Sequence, residues 1–176
     1  MARGAAPLRA EHLRHQPAAP VESELHCFVL DCSASMRISG ALARAKGLLL
    51  AMMTEAYRGR HRVALLCFSG AGVQLQLAPR RAAVWNDAWV DRIGGGGGTP
   101  LTLGMASADQ LLRRSRASRR LLWLLTDGRS REAPPRPASA DAIGVIDFES
   151  ARLPLLRAAQ LAQAWGADYR RHADLH

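Results

Sequence analysis

Three oxygen-bearing side chains follow one apolar segment at alternating positions. They are Asp31, Ser33 and Ser35, and they come directly after the apolar residues 25–30. In an extended turn alternate side chains project to the same side, so all three can converge on one point. Short polar residues also favour strand-end turns and helix caps, and for this pentapeptide alone that interpretation stays open.

Two further segments supply oxygen atoms. A run of five glycines at 94–98 precedes Thr99, and glycine lets a backbone pass close to a ligand. The run lacks the Gly-Lys-Ser/Thr ending of a phosphate-binding P-loop. It matches a dinucleotide fingerprint only trivially, because it does not directly follow a clear strand. Asp127 follows the predicted strand at 121–126 and starts a common Asp-Gly turn.

Together the three segments indicate a metal site. Each lies at the carboxyl end of a predicted strand or at the start of a predicted helix. The candidate ligands are Asp31, Ser33, Ser35, Thr99 and Asp127. Hard oxygen ligands with two carboxylates suit Mg²⁺, with Mn²⁺ as a substitute, and they balance the charge of one divalent ion. An acidic residue from a partner protein could then occupy the open coordination position.

The elements that must position these residues alternate along the chain. Apolar runs predict buried strands at 25–31, 63–68, 121–126 and 142–148, an edge strand at 73–77 and a short final strand at 168–171. Helical spacing predicts helices at 39–57, with Ser39 as cap, at 81–93, at 100–112, with Thr99 as cap, and at 153–165.

Solidly apolar strands that alternate with helices predict an α/β fold. We expect a doubly wound, mostly parallel sheet with one antiparallel edge strand and helices on both faces. Ligands of such sheets sit beyond the carboxyl ends of the strands, where the strand order reverses. A doubly wound order would make Asp31 and Asp127 neighbours at that crevice.

Length and composition limit the number of domains, the cellular location and the role of the cysteines. The 176 residues suit one domain, which we place at 23–176 behind a flexible Ala/Pro/Arg tail at 1–22. No secretory signal and no membrane-spanning apolar run is present, so we expect a cytoplasmic protein. Three cysteines without a pairing pattern argue against a disulfide framework, and no Cys/His cluster has zinc spacing.

The order Asp-x-Ser-x-Ser, then Thr in a Gly-rich loop, then Asp after a strand resembles the metal-ion-dependent adhesion site of von Willebrand A (VWA) domains. The resemblance implies that Asp31, Ser33, Ser35, Thr99 and Asp127 hold the metal. It also implies a VWA fold and a partner carboxylate that completes the site. Ala34 stands where many relatives carry glycine, but this position supplies no ligand.

A narrower resemblance covers residues 25–176. It is carried by residues 45–47, 50–57, 62–68, 98–101, 125–129, 146–149, 161–162 and 166–169. These segments look like the C-terminal VWA domain of the D subunit of magnesium chelatase and stand-alone relatives linked to cobalt chelatase of cobalamin biosynthesis. The AAA+-like module and the acidic linker of that subunit are not in this sequence.

The resemblance implies a Mg²⁺-dependent, non-catalytic subunit of a metal chelatase complex in tetrapyrrole or cobalamin biosynthesis. It would couple an AAA+ ATPase of the magnesium chelatase I type to the metal-inserting subunit. One alternative is a VWA adaptor for an unrelated AAA+ ATPase. Another is a Mg²⁺-dependent phosphohydrolase, although a base beside the metal is missing from the pattern.

Net charge is +9, and arginines crowd residues 113–120. Such a patch is a solvated face or a docking surface for an acidic partner. Nucleic acid is a weaker alternative, because no reader motif and no interleaved aromatic residue accompanies the arginines.

Overall fold

The computed structural model describes residues 24–85 and 87–175. The predicted tail at 1–22 lies outside the described residues. Six strands form one sheet in the order β3-β2-β1-β4-β5-β6, and only the edge strand β3 runs antiparallel to its neighbour. The strands are β1 (Glu24–Asp31), β2 (Arg62–Ser69), β3 (Gly72–Arg81), β4 (Arg119–Thr126), β5 (Ala142–Asp147) and β6 (Asp168–Arg171).

Helices cover both faces of the sheet, which confirms the predicted fold class. They are α1 (Ala34–Ile38), α2 (Ala41–Arg58), α3 (Asp87–Asp91), α4 (Leu101–Arg113) and α5 (Arg157–Trp165), followed by a 3₁₀ turn at His172–Asp174. None of the helices in the described part of the chain has the length and apolar character needed to cross a bilayer.

The central strands divide the core into two layers. Phe28 and Leu30 of β1 pack beneath α2, whereas Cys27 and Val29 pack on the opposite face with α4 and α5. This alternation follows the period of two in a strand. Removing a side chain of this size from water contributes about 1.5–3 kcal/mol to the stability of the fold. The buried central strands therefore give the site a rigid base.

Two predicted helix boundaries near the site are wrong. Ser39 does not begin the long helix: α1 ends at that point, and α2 begins after Gly40, whose φ of 70° is a left-handed conformation suited to glycine. Among the described residues of the helix predicted at 81–93, only those of α3 form an α-helix. Arg81 instead pairs with Arg62 of β2, so strand pairing extends β3 through a segment with helical spacing.

The last helix is also shorter than predicted. It begins at Arg157 rather than near residue 153. The Glu149 carboxylate accepts the backbone N–H groups of Leu155 and Leu156, at 2.8 and 3.2 Å, and Leu156 has a φ of 56°. These two hydrogen bonds hold the preceding turn in a non-helical conformation.

Candidate metal centre

Asp31 is the last residue of β1, and its side chain is fully buried. Its Oδ1 accepts the backbone N–H of Ser33 at 2.9 Å, and its Oδ2 accepts the Thr126 hydroxyl at 2.7 Å. Burial raises the pKa of Asp31; the hydrogen bonds oppose this rise, and the Asp127 carboxylate adds to it. The carboxylate is thus held in one orientation, where its charge is unfavourable unless a cation is near.

The hydroxyls of Ser33 and Ser35 lie together, with their Oγ atoms 3.1 Å apart. Ser33 occupies the cap position of α1, yet its side chain makes no cap hydrogen bond. The backbone N–H of Ala34 donates to the Gly97 carbonyl at 3.1 Å. The loop after β1 therefore brings two of the predicted hydroxyl ligands together and attaches them to the Gly-rich loop.

Asp127 follows β4, the neighbour of β1, and is almost fully buried. Its Oδ1 accepts the backbone N–H of Arg129 at 3.1 Å, whereas its Oδ2 is buried without a hydrogen-bond partner. The half-exposed Arg129 side chain brings its Nε only to 3.9 Å from Oδ2, which is a weak ion pair. A buried carboxylate oxygen left unpaired is costly, and a cation would satisfy it.

Asp147, at the end of β5, provides an internal comparison. It is also buried, but both of its oxygens are satisfied. Oδ1 accepts the backbone N–H of Glu149, and Oδ2 accepts the Tyr169 hydroxyl, each at 2.7 Å. A buried acid at this edge of the sheet can therefore be fully hydrogen-bonded within the chain, and Asp127 differs from Asp147 in this respect.

The backbone of Thr99 is attached to the segment that follows Asp127. Its backbone carbonyl accepts the Ser130 hydroxyl at 3.2 Å, which joins the loop to the segment after Asp127. The Gly96 carbonyl accepts the backbone N–H of Gly70 at 2.9 Å. Helix α4 begins at Leu101, after Pro100, so the prediction that Thr99 caps it is wrong. The Thr99 hydroxyl is therefore not used as a helix cap.

Thr126 and Ser130 are site residues that the sequence did not single out. Thr126 fixes Asp31, and its Oγ1 also accepts the backbone N–H of Gly128 at 3.1 Å. The signal was the strand register: Leu30 pairs with Leu125, which sets Thr126 opposite Asp31. Without the register, Thr126 is only the residue before an aspartate.

These residues fit a hard divalent cation. The donor set consists of carboxylate and hydroxyl oxygens, and one buried carboxylate oxygen has no partner. The residues that would hold the ion are Asp31, Ser33, Ser35, Thr99 and Asp127. A bound Mg²⁺ or Mn²⁺ would neutralise two neighbouring buried carboxylates and offer an open position to an acidic side chain of a partner.

Comparison with known proteins identifies the family of the chain. The family model of the von Willebrand factor type A domain matches residues 27–129, which include both aspartates. The chain belongs to this family. An uncharacterized protein of Mycobacterium tuberculosis is 34% identical to this VWA domain over 190 residues, 98% of the chain and 30% of that protein.

Magnesium-chelatase subunits are also similar to this VWA domain. The 60 kDa subunit of Rhodobacter capsulatus is 34% identical over 119 residues, which is 66% of the chain and 21% of that subunit. The Cereibacter sphaeroides subunit is 38% identical over 104 residues, 58% of the chain and 18% of the subunit. The chain thus spans less than a third of the length of these relatives.

Solved structures agree on the fold of the VWA domain. The conserved hypothetical protein BatB from Bacteroides thetaiotaomicron has a TM-score of 0.67 at 18% identity, covering 85% of this chain and 89% of that one. The PilB minor pilin from Streptococcus sanguinis has a TM-score of 0.61 at 13% identity, covering 85% and 56%. At these identities the likeness establishes fold alone.

A second group of possible metal ligands lies at the N-terminal ends of β1 and β2, opposite the candidate metal centre. Glu24, His26 and His61 offer ligand atoms within 4.8 Å of one another. The spacing of these residues in the sequence does not match a zinc motif and gave no sign of the cluster. The pairing of β1 with β2 brings them together, because His26 pairs with Val63, two residues after His61. Arg119 already donates to Glu24 at 2.9 Å.

Hydrogen bonding makes this second cluster a poor metal site. The indole N–H of Trp123 donates to His26 Nδ1 at 3.2 Å. An indole N–H can only donate, so Nδ1 accepts and Nε2 of the neutral ring carries the proton. Nε2 lies 3.5 Å from Oε2 of Glu24, so its proton occupies the side of the ring that a metal would need. A metal at this cluster would have to displace that proton and compete with Arg119 for the Glu24 carboxylate.

The cluster predicts a pH dependence of stability. Burial and the neighbouring His61 lower the pKa of His26 below 6.5, although Glu24 opposes the shift. Unfolding then takes up a proton, so stability is full above pH 6.5 and is lost as pH falls through the folded pKa. We expect the His26→Gln variant, which keeps an acceptor for Trp123, to be less sensitive to acid than wild type. In urea titrations, its free energy of unfolding should fall less than that of wild type between about pH 7.5 and about pH 5. Equal losses would contradict this role for His26.

Proposed function

We propose that this VWA domain binds a partner protein through a divalent cation, Mg²⁺ or Mn²⁺, held by Asp31, Ser33, Ser35, Thr99 and Asp127. The observation that carries the proposal is the buried, unpartnered Oδ2 of Asp127 beside the buried Asp31 carboxylate. An acidic side chain of the partner completes the coordination. The domain supplies binding, and catalysis belongs to its partners.

We further propose that the partner is an AAA+ ATPase of the magnesium chelatase I type. The chain then serves as a non-catalytic subunit of a magnesium or cobalt chelatase complex and couples the ATPase to the metal-inserting subunit. The support is the similarity to magnesium-chelatase subunits, which reaches 34% identity over 66% of the chain in the Rhodobacter capsulatus relative. The Mg²⁺ of this site is adhesive and is distinct from the inserted ion.

An adaptor for an AAA+ ATPase outside tetrapyrrole biosynthesis is the second candidate. Both candidates use the same cation-dependent contact. They differ in the identity of the ATPase that is bound.

The test is retention of a purified chelatase-type AAA+ ATPase from the same organism on the immobilised chain. We expect retention in millimolar Mg²⁺, loss in EDTA and loss with Asp31→Ala. Asp168→Asn is the matched control, since it removes the charge of an exposed acid at the N-terminal end of β6, opposite the carboxyl ends of the strands, and should bind like wild type. Retention that survives EDTA and Asp31→Ala would overturn the cation-mediated contact. Mg²⁺-dependent retention of a different AAA+ ATPase alone would favour the second candidate.

A further inference from the structure

A groove of about 500 Å³ runs between β3 and α4, away from the candidate metal centre. Its floor is apolar and consists of Leu66, Leu75 and Leu111. Leu66 and Leu75 pair across β2 and β3 and face α4. Leu66 is 4% exposed but Leu75 is 53% exposed, because β3 is the edge strand and α4 leaves it partly uncovered.

The rim of this groove is basic. It carries Arg62, Arg114 and Arg116, and no acidic residue is among the described residues that line it. Arg62 donates to the Pro79 carbonyl at 3.2 Å, which fixes its guanidinium at the wall of the groove. Apolar floor and cationic rim together define the chemistry of an occupant: apolar side chains flanked by carboxylates.

Local ion pairs divide the arginine patch into two parts. Arg119 pairs with Glu24, and Arg120 pairs with Asp141, each at 2.9 Å. Arg114 and Arg116 have no acidic partner in the described part of the chain. Arg114 and Arg116 both line the groove, so positive charge that a partner could neutralise lies at its rim.

We infer that this groove docks an acidic segment of a partner protein that carries leucine-like side chains. The leucines of the segment cover Leu75 and Leu111, and its carboxylates pair with Arg114 and Arg116. A nucleic acid fits less well, because none of the described lining residues is aromatic and no base could stack. The groove adjoins the C-terminal end of α4 and the N-terminal end of β2, the pole opposite Asp31. The domain thereby has two independent binding regions.

The experiment measures fluorescence anisotropy of a labelled peptide made only of Glu, Asp and Leu. Two comparison probes are a peptide of equal charge with Ser in place of Leu, and a single-stranded oligodeoxynucleotide. All titrations contain EDTA, so that peptide carboxylates cannot bind through a cation at Asp127. We expect the Leu-containing peptide to bind wild type and Asp127→Asn equally and more tightly than either comparison probe.

Two double variants and one single variant localise this binding to the groove. We expect Arg114→Ala/Arg116→Ala to weaken it on the order of tenfold, and Leu75→Ser to weaken it as well. Arg92→Ala/Arg152→Ala removes the same charge from exposed positions outside the groove and should bind like wild type. Equal weakening by both double variants, equal binding of the Ser peptide, or tighter binding of the oligonucleotide would each overturn the proposal.

Discussion

Replacing Asp127 with asparagine is expected to abolish the stabilisation that Mg²⁺ gives the wild-type chain. A ligand that binds only the folded state stabilises it by about 2.7 kcal/mol at a hundredfold excess over its Kd, which is several degrees in Tm for a chain of this size. In the variant, a neutral amide replaces the carboxylate whose buried Oδ2 has no hydrogen-bond partner. The site then keeps one carboxylate and loses the anionic oxygen that is free to bind the cation.

The same substitution is expected to raise or preserve stability in EDTA. Wild type holds the carboxylates of Asp31 and Asp127 buried near one another, and the charge of Asp127 disfavours that of Asp31. Removing one charge relieves this repulsion. Thermal unfolding of both proteins in EDTA and in millimolar Mg²⁺ measures the two effects together.

Asp147→Asn is the matched control for this experiment. It alters an equally buried aspartate at the end of the next strand, whose oxygens bind Tyr169 and the Glu149 backbone. We expect a lower Tm, because these hydrogen bonds are disturbed, but an unchanged shift on adding Mg²⁺. If Asp127→Asn kept the wild-type Mg²⁺ shift, Asp127 would not be a ligand.

Replacing Gly95 with alanine is expected to disable the site without touching a ligand. A Cβ at this position would collide with the Cys32 carbonyl oxygen and would lie 2.6 Å from the Cys32 Cβ. Cys32 sits between Asp31 and Ser33 and is anchored by its N–H to the Phe68 carbonyl at 2.9 Å, so it cannot retreat easily. The Gly-rich loop must move instead and displaces Thr99. We expect a loss of about 1–3 kcal/mol in stability and a strongly reduced Mg²⁺ shift.

Two other glycines of the same run provide controls. A Cβ on Gly94 or Gly98 would meet nothing within 4 Å, and neither residue has a left-handed φ. Gly94→Ala and Gly98→Ala should therefore keep the wild-type Tm and Mg²⁺ shift. If all three variants behaved alike, the close packing of the loop against Cys32 would have no role in the site.

The sequence was sufficient to predict the sheet and the meeting of its two aspartates. The apolar runs of β1 and β4 could only be buried strands, and a doubly wound order then puts Asp31 beside Asp127. The position of a charged residue directly after such a run marks the edge of the sheet. The strands follow from the apolar runs in the sequence, whereas the neighbouring positions of the two aspartates also required the doubly wound order expected for this fold class.

Contacts that depend on register or on loop conformation could not be predicted. The hydrogen bond from Thr126 to Asp31 and the gathering of His26 and His61 follow from which residues pair across strands. The helix predicted at 81–93 failed because pairing with β2 extended β3 to Arg81. In each case a tertiary contact, formed by residues distant in sequence, decides the local structure.

In the proposed site, one divalent cation is bound jointly by Asp31, Ser33, Ser35, Thr99 and Asp127. Anomalous diffraction from crystals soaked in Mn²⁺ tests it most directly, because the signal gives the position of the ion. We expect one strong peak at roughly 2 Å from oxygens of Asp31 or Asp127 and of the neighbouring hydroxyls. This is the distance at which Mg²⁺ binds oxygen ligands. A peak at Glu24, His26 and His61 alone, or none near Asp127, would contradict it.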